Sequence, residues 1–146
     1  MSEETTERLT VLLAPTAVYE IAADIERYPE WVADIKQVTI DDRDGLGRPT
    51  LVTFRTAAFG RSTTYALRYD YARAPEVLAW KQESGDLTSK LDGAYHFNAA
   101  DQGCEVVYHL EVELRVPIPG FVKARAQNRI QTAALRELKL RAEGSH

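Results

Sequence analysis

The chain closes on PGFVKARAQNRIQTAALRELKLRA, Pro119 to Ala142. Pro119 and Gly120 suit the start of a helix, and no further Pro or Gly follows until Gly144, a C-terminal stop. The run is about six turns long at roughly 3.6 residues per turn. Helical spacing puts Val122, Ala126, Ile130, Ala133, Ala134 and Leu138 on one face, with Gln127 and Gln131 at its margin. A helix that only seals a core carries Leu or Ile where this one carries Ala126, Ala133 and Ala134. Two packings fit so thin a face: close approach of backbone to neighbour, or space left between them.

Upstream of that helix, residues 103 to 115 give the cleanest alternation in the chain. Val106, Tyr108, Leu110, Val112 and Leu114 alternate with Val107, His109, Glu111, Glu113 and Arg115, giving one apolar and one solvated face. Turn signals at Asp44-Gly45-Leu46-Gly47, Phe59-Gly60, Ala74-Pro75, Gly85-Asp86 and Asp101-Gln102-Gly103 mark strands over 36–43, 49–59, 61–73, 76–84, 87–99 and 103–115. Their short connections make antiparallel hairpins. Leu91, Gly93, Tyr95 and Phe97 share an inner face, as do Leu78, Trp80 and Gln82. Tyr65, Leu67, Tyr69 and Tyr71 do the same, which gathers five of the seven tyrosines on that surface. Over 49–59 the parity is open, because Val52, Phe54, Thr56 and Ala58 compete with Leu51, Thr53, Arg55, Ala57 and Phe59.

At the other end, Thr5 to Leu13 reads as a strand with Leu9, Val11 and Leu13 on one face. Pro15 to Asp24 changes period, with Val18, Ile21, Ala22 and Ile25 at helical spacing. The Tyr28-Pro29 step forces a break or turn, since a residue before proline is pushed toward extended conformations, and Trp31 falls on the corner. The order is one strand, two short helices, six strands and a long helix. That is an α+β domain whose bent antiparallel sheet has one apolar face and one long helix left to cover it. A single domain spans 1–146, with its core over about 5–142.

Composition narrows the function classes. With 18 basic and 22 acidic residues the net charge is -4, and no dense Lys/Arg cluster offers the footprint of a nucleic-acid binder. The segment Met1 to Glu7 is polar and acidic, and no apolar run reaches the roughly 20 residues that span a bilayer, so no stable membrane insertion is expected. Cys104 is the only cysteine, which excludes an internal disulfide and fits a reducing compartment. A cytoplasmic protein is the expectation.

Three stretches resemble a known superfamily: Ala14-Pro15-Thr16-Ala17-Val18 leading into Ala23-Asp24-Ile25-Glu26-Arg27-Tyr28-Pro29-Glu30-Trp31; Gly93-Ala94-Tyr95-His96-Phe97; and Val116-Pro117-Ile118-Pro119. The chain resembles, over nearly its whole length, the START-like helix-grip (SRPBCC) superfamily, which includes lipid-transfer domains, coenzyme Q-binding proteins and the polyketide cyclase/dehydrase group. The resemblance implies a curved seven-stranded antiparallel sheet wrapped around a long C-terminal helix, with two short helices between the first two strands. It further implies an elongated cavity between sheet and helix for a small hydrophobic molecule such as a lipid, quinone or polyketide. Its wall would be drawn from Trp31, Tyr65, Leu67, Tyr69, Tyr71, Leu78, Trp80 and Leu91. Tyr95, Phe97, Val106, Tyr108 and Leu110 would extend it, and Val122, Ala126, Ile130, Ala133 and Ala134 would face it from the helix. The same aromatic residues also read as ordinary core, and Trp31 either as a wedge behind the helical pair or as part of a cavity mouth.

Motifs for catalysis are few. His96 and His109 lie on the solvent parity of their strands and could pair across the hairpin, while His146 is terminal, and none falls into a zinc or iron spacing. No Gly-x-Ser-x-Gly or phosphate-cradling glycine pattern occurs, so neither a metal nor a cofactor is expected. One enzymatic reading stands beside binding. Cyclases of the superfamily fold a reactive polyketide by cavity shape, with Arg and Tyr groups polarising carbonyls, and here Arg55, Tyr65 and Tyr95 would serve if Arg55 turned inward. The alternative for Arg55 is a surface position, and Arg125 and Arg129 read as solvated. The leading expectation is a carrier or sensor rather than a catalyst. An interaction module with a filled core is the other alternative.

Overall fold

A computed structural model describes residues 3–58, 61–115 and 119–144. Strand β1 (Glu3–Val11) leads into α1 (Pro15–Ala23), a single 3-10 turn (Ile25–Arg27) and α2 (Tyr28–Trp31). Six strands follow: β2 (Ile35–Arg43), β3 (Pro49–Ala58), β4 (Arg61–Asp70), β5 (Val77–Gly85), β6 (Thr88–Ala100) and β7 (Gly103–Leu114). Helix α3 (Gly120–Gly144) closes the chain. All seven strands form one antiparallel sheet in the order β1-β7-β6-β5-β4-β3-β2. The expected sheet and closing helix are present, and no meander strand has an end shifted by more than three residues. The Phe59-Gly60 turn, His146 and most of the Val116-Pro117-Ile118-Pro119 run lie outside the described residues.

Several local expectations change. The first strand stops at Val11 rather than Leu13, because the Leu13 N–H turns back onto Val11 O at 2.9 Å. Tyr28 keeps helical geometry (φ -52°, ψ -40°) despite preceding Pro29, and the chain breaks earlier, at Asp24 (ψ 70°). The hydroxyl of Tyr28 donates to Ala22 O, and its ring is buried, so tertiary contacts outweigh the pre-proline preference. Strand β4 ends at Asp70, whose Oδ1 accepts from Ala72 N at 2.8 Å. Register places His96 opposite Val107 and His109 opposite Ala94, so the two histidines do not pair; His109 Nδ1 lies 2.9 Å from Thr6 Oγ1.

One end of the sheet is tightly packed. Helix α1 lies on β5, β6 and β7 and buries Val18, Tyr19 and Ala22 against Val11, Leu78, Phe97, Cys104 and Val106. Tyr19 meets Phe97 edge-on with ring centroids 5.8 Å apart. Each large aliphatic side chain closed off here contributes about 1.5–3 kcal/mol. Gly103 (φ 127°) makes the β6–β7 turn beneath the end of β1, where an added Cβ would stand 2.2 Å from Val11 O.

The closing helix is rolled relative to its apolar stripe. Gln127 and Gln131, expected at the margin, are 3% and 0% exposed, whereas Val122 and Ile130 are 43% and 39% exposed. The buried line continues through Leu135, Leu138 and Ala142. Backbone carbonyls of β1 and β7 explain the roll. Gln127 Nε2 donates to Glu3 O (3.1 Å) and Leu110 O (2.9 Å), and Gln131 Nε2 to Thr5 O (3.2 Å) and Tyr108 O (3.0 Å). Further along, Lys139 Nζ reaches Thr10 O at 3.0 Å, and Glu143 Oε2 accepts from Leu12 N and Lys139 Nζ, both at 2.7 Å. On the other flank Glu137 Oε2 accepts from Ala33 N at 2.9 Å, and Arg141 pairs with Glu30 at 2.9 Å.

The Lys139 ammonium, with the Leu12 N–H, holds the Glu143 carboxyl below its usual range. A carboxylate depressed in the folded state stabilises fully above its ordinary pKa, and that contribution is lost as pH falls through the lowered value. Glu143→Gln is therefore expected to be less stable than the parent at neutral pH. The difference should close as pH falls below the ordinary glutamate range, as read from urea denaturation midpoints.

Candidate functional site

Because α3 is fastened along β1 and β7, a space of about 310 Å³ remains between it and the inner faces of β3 to β7. Aromatic rings supply much of its wall. Trp80 lies across the sheet with its ring centroid 6.0 Å from Tyr69, 5.4 Å from Tyr95 and 5.9 Å from Tyr108. Opposite Trp80 in the ladder is Gly93, where a Cβ would fall 2.6 Å from the indole and 2.7 Å from His109 O, so the missing side chain makes room for the ring. Phe54 stacks on Tyr65 at 5.4 Å and on Tyr28 at 6.2 Å, and Tyr28 meets Trp31 edge-on at 5.3 Å. Trp31 thus acts both as wedge and as cavity wall.

Helix α3 completes the enclosure with Val122, Ala126, Ile130, Ala133 and Ala134. The small residues face open volume rather than close-packed backbone, and the partial exposure of Val122 and Ile130 places an opening along this flank. Leu67, Leu91 and Leu110 add aliphatic wall from the strands.

Four expected wall residues lie elsewhere. Leu78, Phe97 and Val106 share the strand parity of the cavity residues, but they sit at the end covered by α1 and belong to the packed core. Tyr71 follows the end of β4. Its hydroxyl donates to Pro49 O at 2.6 Å, and the Arg48 guanidinium lies 4.6 Å above its ring, so it braces the start of β3. Arg55 also leaves the site. The undecided strand turns Val52, Phe54 and Thr56 inward, and Arg55 is exposed with Nε 3.2 Å from Ser62 Oγ. The cyclase reading therefore loses its arginine, while Tyr65 and Tyr95 do reach the cavity.

Sequence reasoning missed Tyr28, Phe54, Val32, Ile35 and Leu87, and polar groups from Asp34, Thr56, Thr63, Lys123, Gln127 and Glu137. Val112 and Leu114 already lay on the apolar parity of the last strand, a usable signal. Tyr28 carried none, since its sequence neighbours mark only a turn.

Burial pushes the hydroxyls of Tyr69, Tyr95 and Tyr108 well above the ordinary phenol value. Burial raises Tyr28 and Tyr65 as well, with the Asp34 charge adding to the shift at Tyr65. Tyr95 and Tyr108 lie side by side on neighbouring strands, with ring centroids 4.5 Å apart. Phenols raised in this way stay protonated at neutral pH and act as hydrogen-bond donors rather than bases. Among the described residues no group of three or more His, Cys, Asp or Glu side chains comes together that could hold a metal ion. No described helix is long and apolar enough to cross a membrane.

Comparison with known proteins agrees with this geometry. The profile of a family described as polyketide cyclase / dehydrase and lipid transport matches residues 3–143. No curated protein sequence matches the chain. Among solved structures, a START superfamily protein from Mycobacterium smegmatis superposes with a TM-score of 0.92 at 21% identity, covering 98% of this chain and 99% of that one. The Zhui aromatase/cyclase from Streptomyces sp. R1128 gives 0.84 at 18% identity, covering 98% and 94%. Ginseng major latex-like protein 151 from Panax ginseng gives 0.76 at 10% identity, covering 97% of each chain. At these identities the structural likeness speaks for the fold.

Since Ala126 and Ala133 face open volume, replacing either with Leu is expected to change stability by less than about 1 kcal/mol, where a close-packed interface would lose roughly 1–3 kcal/mol. The same changes should weaken binding of the fluorescent probe N-phenylnaphthylamine by about tenfold or more, as read by titration beside thermal denaturation.

Proposed function

The chain belongs to the polyketide cyclase/dehydrase and lipid-transport family, and from that premise we propose that it binds a small hydrophobic molecule between sheet and α3, as a carrier or sensor. The observation that carries this reading is the cavity of about 310 Å³ walled by Trp80, Tyr65, Tyr69, Tyr95, Tyr108 and the alanine face of α3. Its size lies at the small end of the roughly 300–1,000 Å³ of ligand sites, which suits a compact molecule more than a two-chain lipid. Aromatic faces hold a flat or slender apolar body, and a few hydroxyls orient its polar atoms.

Carriage is favoured over catalysis by the surface position of Arg55, which leaves the cavity without the arginine that the cyclase reading requires. Native mass spectrometry tests the reading. Gently purified protein is expected to carry a small apolar adduct, and stripped protein to take up N-phenylnaphthylamine with one-to-one stoichiometry. Protein that is repeatedly empty and takes up no probe would overturn it.

A further inference from the structure

The geometry points to Gln127 as the residue that selects among apolar molecules in the cavity, its side-chain oxygen accepting a hydrogen bond from a hydroxyl on the ligand. This rests on the binding function proposed above and adds the chemistry required at one end of the molecule.

Gln127 and Gln131 stand one turn apart on α3 and fasten it to the sheet in the same way, each amide nitrogen donating to one carbonyl of β1 and one of β7. Gln131 is complete, because its Oε1 also accepts from the Thr5 hydroxyl. Gln127 is not. Its Oε1 is buried and has no hydrogen-bond partner among the described residues. The amide cannot be turned over to cure this, since the oxygen would then face the carbonyls of Glu3 and Leu110. Nor can Thr5 serve both glutamines: its single proton goes to Gln131, and its oxygen, 2.9 Å from Gln127 Nε2, competes with the carbonyls of Glu3 and Leu110 for that amide's two protons.

Gln127 is 3% exposed, so bulk water does not reach it. It differs from Gln131 in lining the cavity, so a hydroxyl on a molecule lodged there is the partner assigned to it. An amide oxygen is satisfied by O–H or N–H, whereas a ligand ending in a carbonyl, ether or carboxylate presents only lone pairs and leaves the acceptor unpaired. A site with a buried acceptor rejects the analogue lacking the donor more strongly than it senses a small change in apolar size.

Calorimetric titration of the stripped protein with naphthol and with its methyl ether, methoxynaphthalene, tests the inference on a shared ring system. Naphthol is expected to bind about tenfold tighter. It should also shift the side-chain amide resonances of Gln127 in nuclear magnetic resonance spectra, while methoxynaphthalene should not. Gln127→Met should abolish the preference. Gln131→Met, which removes the matching sheet contacts outside the cavity, should retain it. Equal affinities in the unaltered protein, or a preference that survives Gln127→Met, would overturn the inference and leave the binding function standing. Failure of both compounds to bind would overturn the two together. If Gln127→Met does not fold, the paired affinities and the amide shifts in the unaltered protein decide.

Discussion

Two glutamine amides on one face of a helix set the form of the interior. Gln127 and Gln131 take carbonyls from both β1 and β7, and Lys139 and Glu143 extend the attachment to Thr10 and Leu12. A helix held in that way cannot slide toward the middle of a curved seven-stranded sheet without giving up buried hydrogen bonds. The inner faces of β3 to β7 are left to face small side chains across a gap. Glu137 and Arg141 fix the opposite flank to Ala33 and Glu30, so the width of the gap is set from both sides.

Such an opening is tolerable because the apolar area lost from close packing is recovered elsewhere. Under α1, Val11, Val18, Leu78 and Val106 are almost wholly removed from water, and Phe54, Val52 and Leu138 add to this. Among the phenols that line the gap Tyr28 is bonded to Ala22 O, and among the described residues no wall hydroxyl is a buried polar atom left without a partner. A buried hydroxyl with a partner costs little, so a wall rich in tyrosine is compatible with a stable shell.

The shell was legible in the sequence because its cues are local and periodic. Alternation in 103–115 placed Tyr108, Leu110 and Val112, and turn dipeptides marked the hairpins close to where they occur. The roll of the final helix was not legible. Hydrophobicity sends Gln127 and Gln131 to the margin, and only tertiary contact with carbonyls of β7 and of β1, the latter more than 100 residues away, makes the inward position favourable. Parity likewise grouped Leu78 with Trp80 and Phe97 with Tyr95, since it says which face a residue takes and not what covers that stretch of the face. Arg55 could not be placed because β3 has apolar residues on both parities, and its pairing with β2 and β4 decides. Tyr28 depends on a contact with Ala22 across the 3-10 turn, which its pre-proline setting conceals.

The division of single strands between a dense end and a hollow one separates two kinds of selection. On β5, β6 and β7 a change at Leu78, Phe97 or Val106 alters folding, while a change at Trp80, Tyr95 or Tyr108, two residues along, alters the shape of an unfilled space. Mutational drift can then rewrite the interior while the scaffold endures. The hollow half of the sheet is therefore the natural place to retarget such a protein.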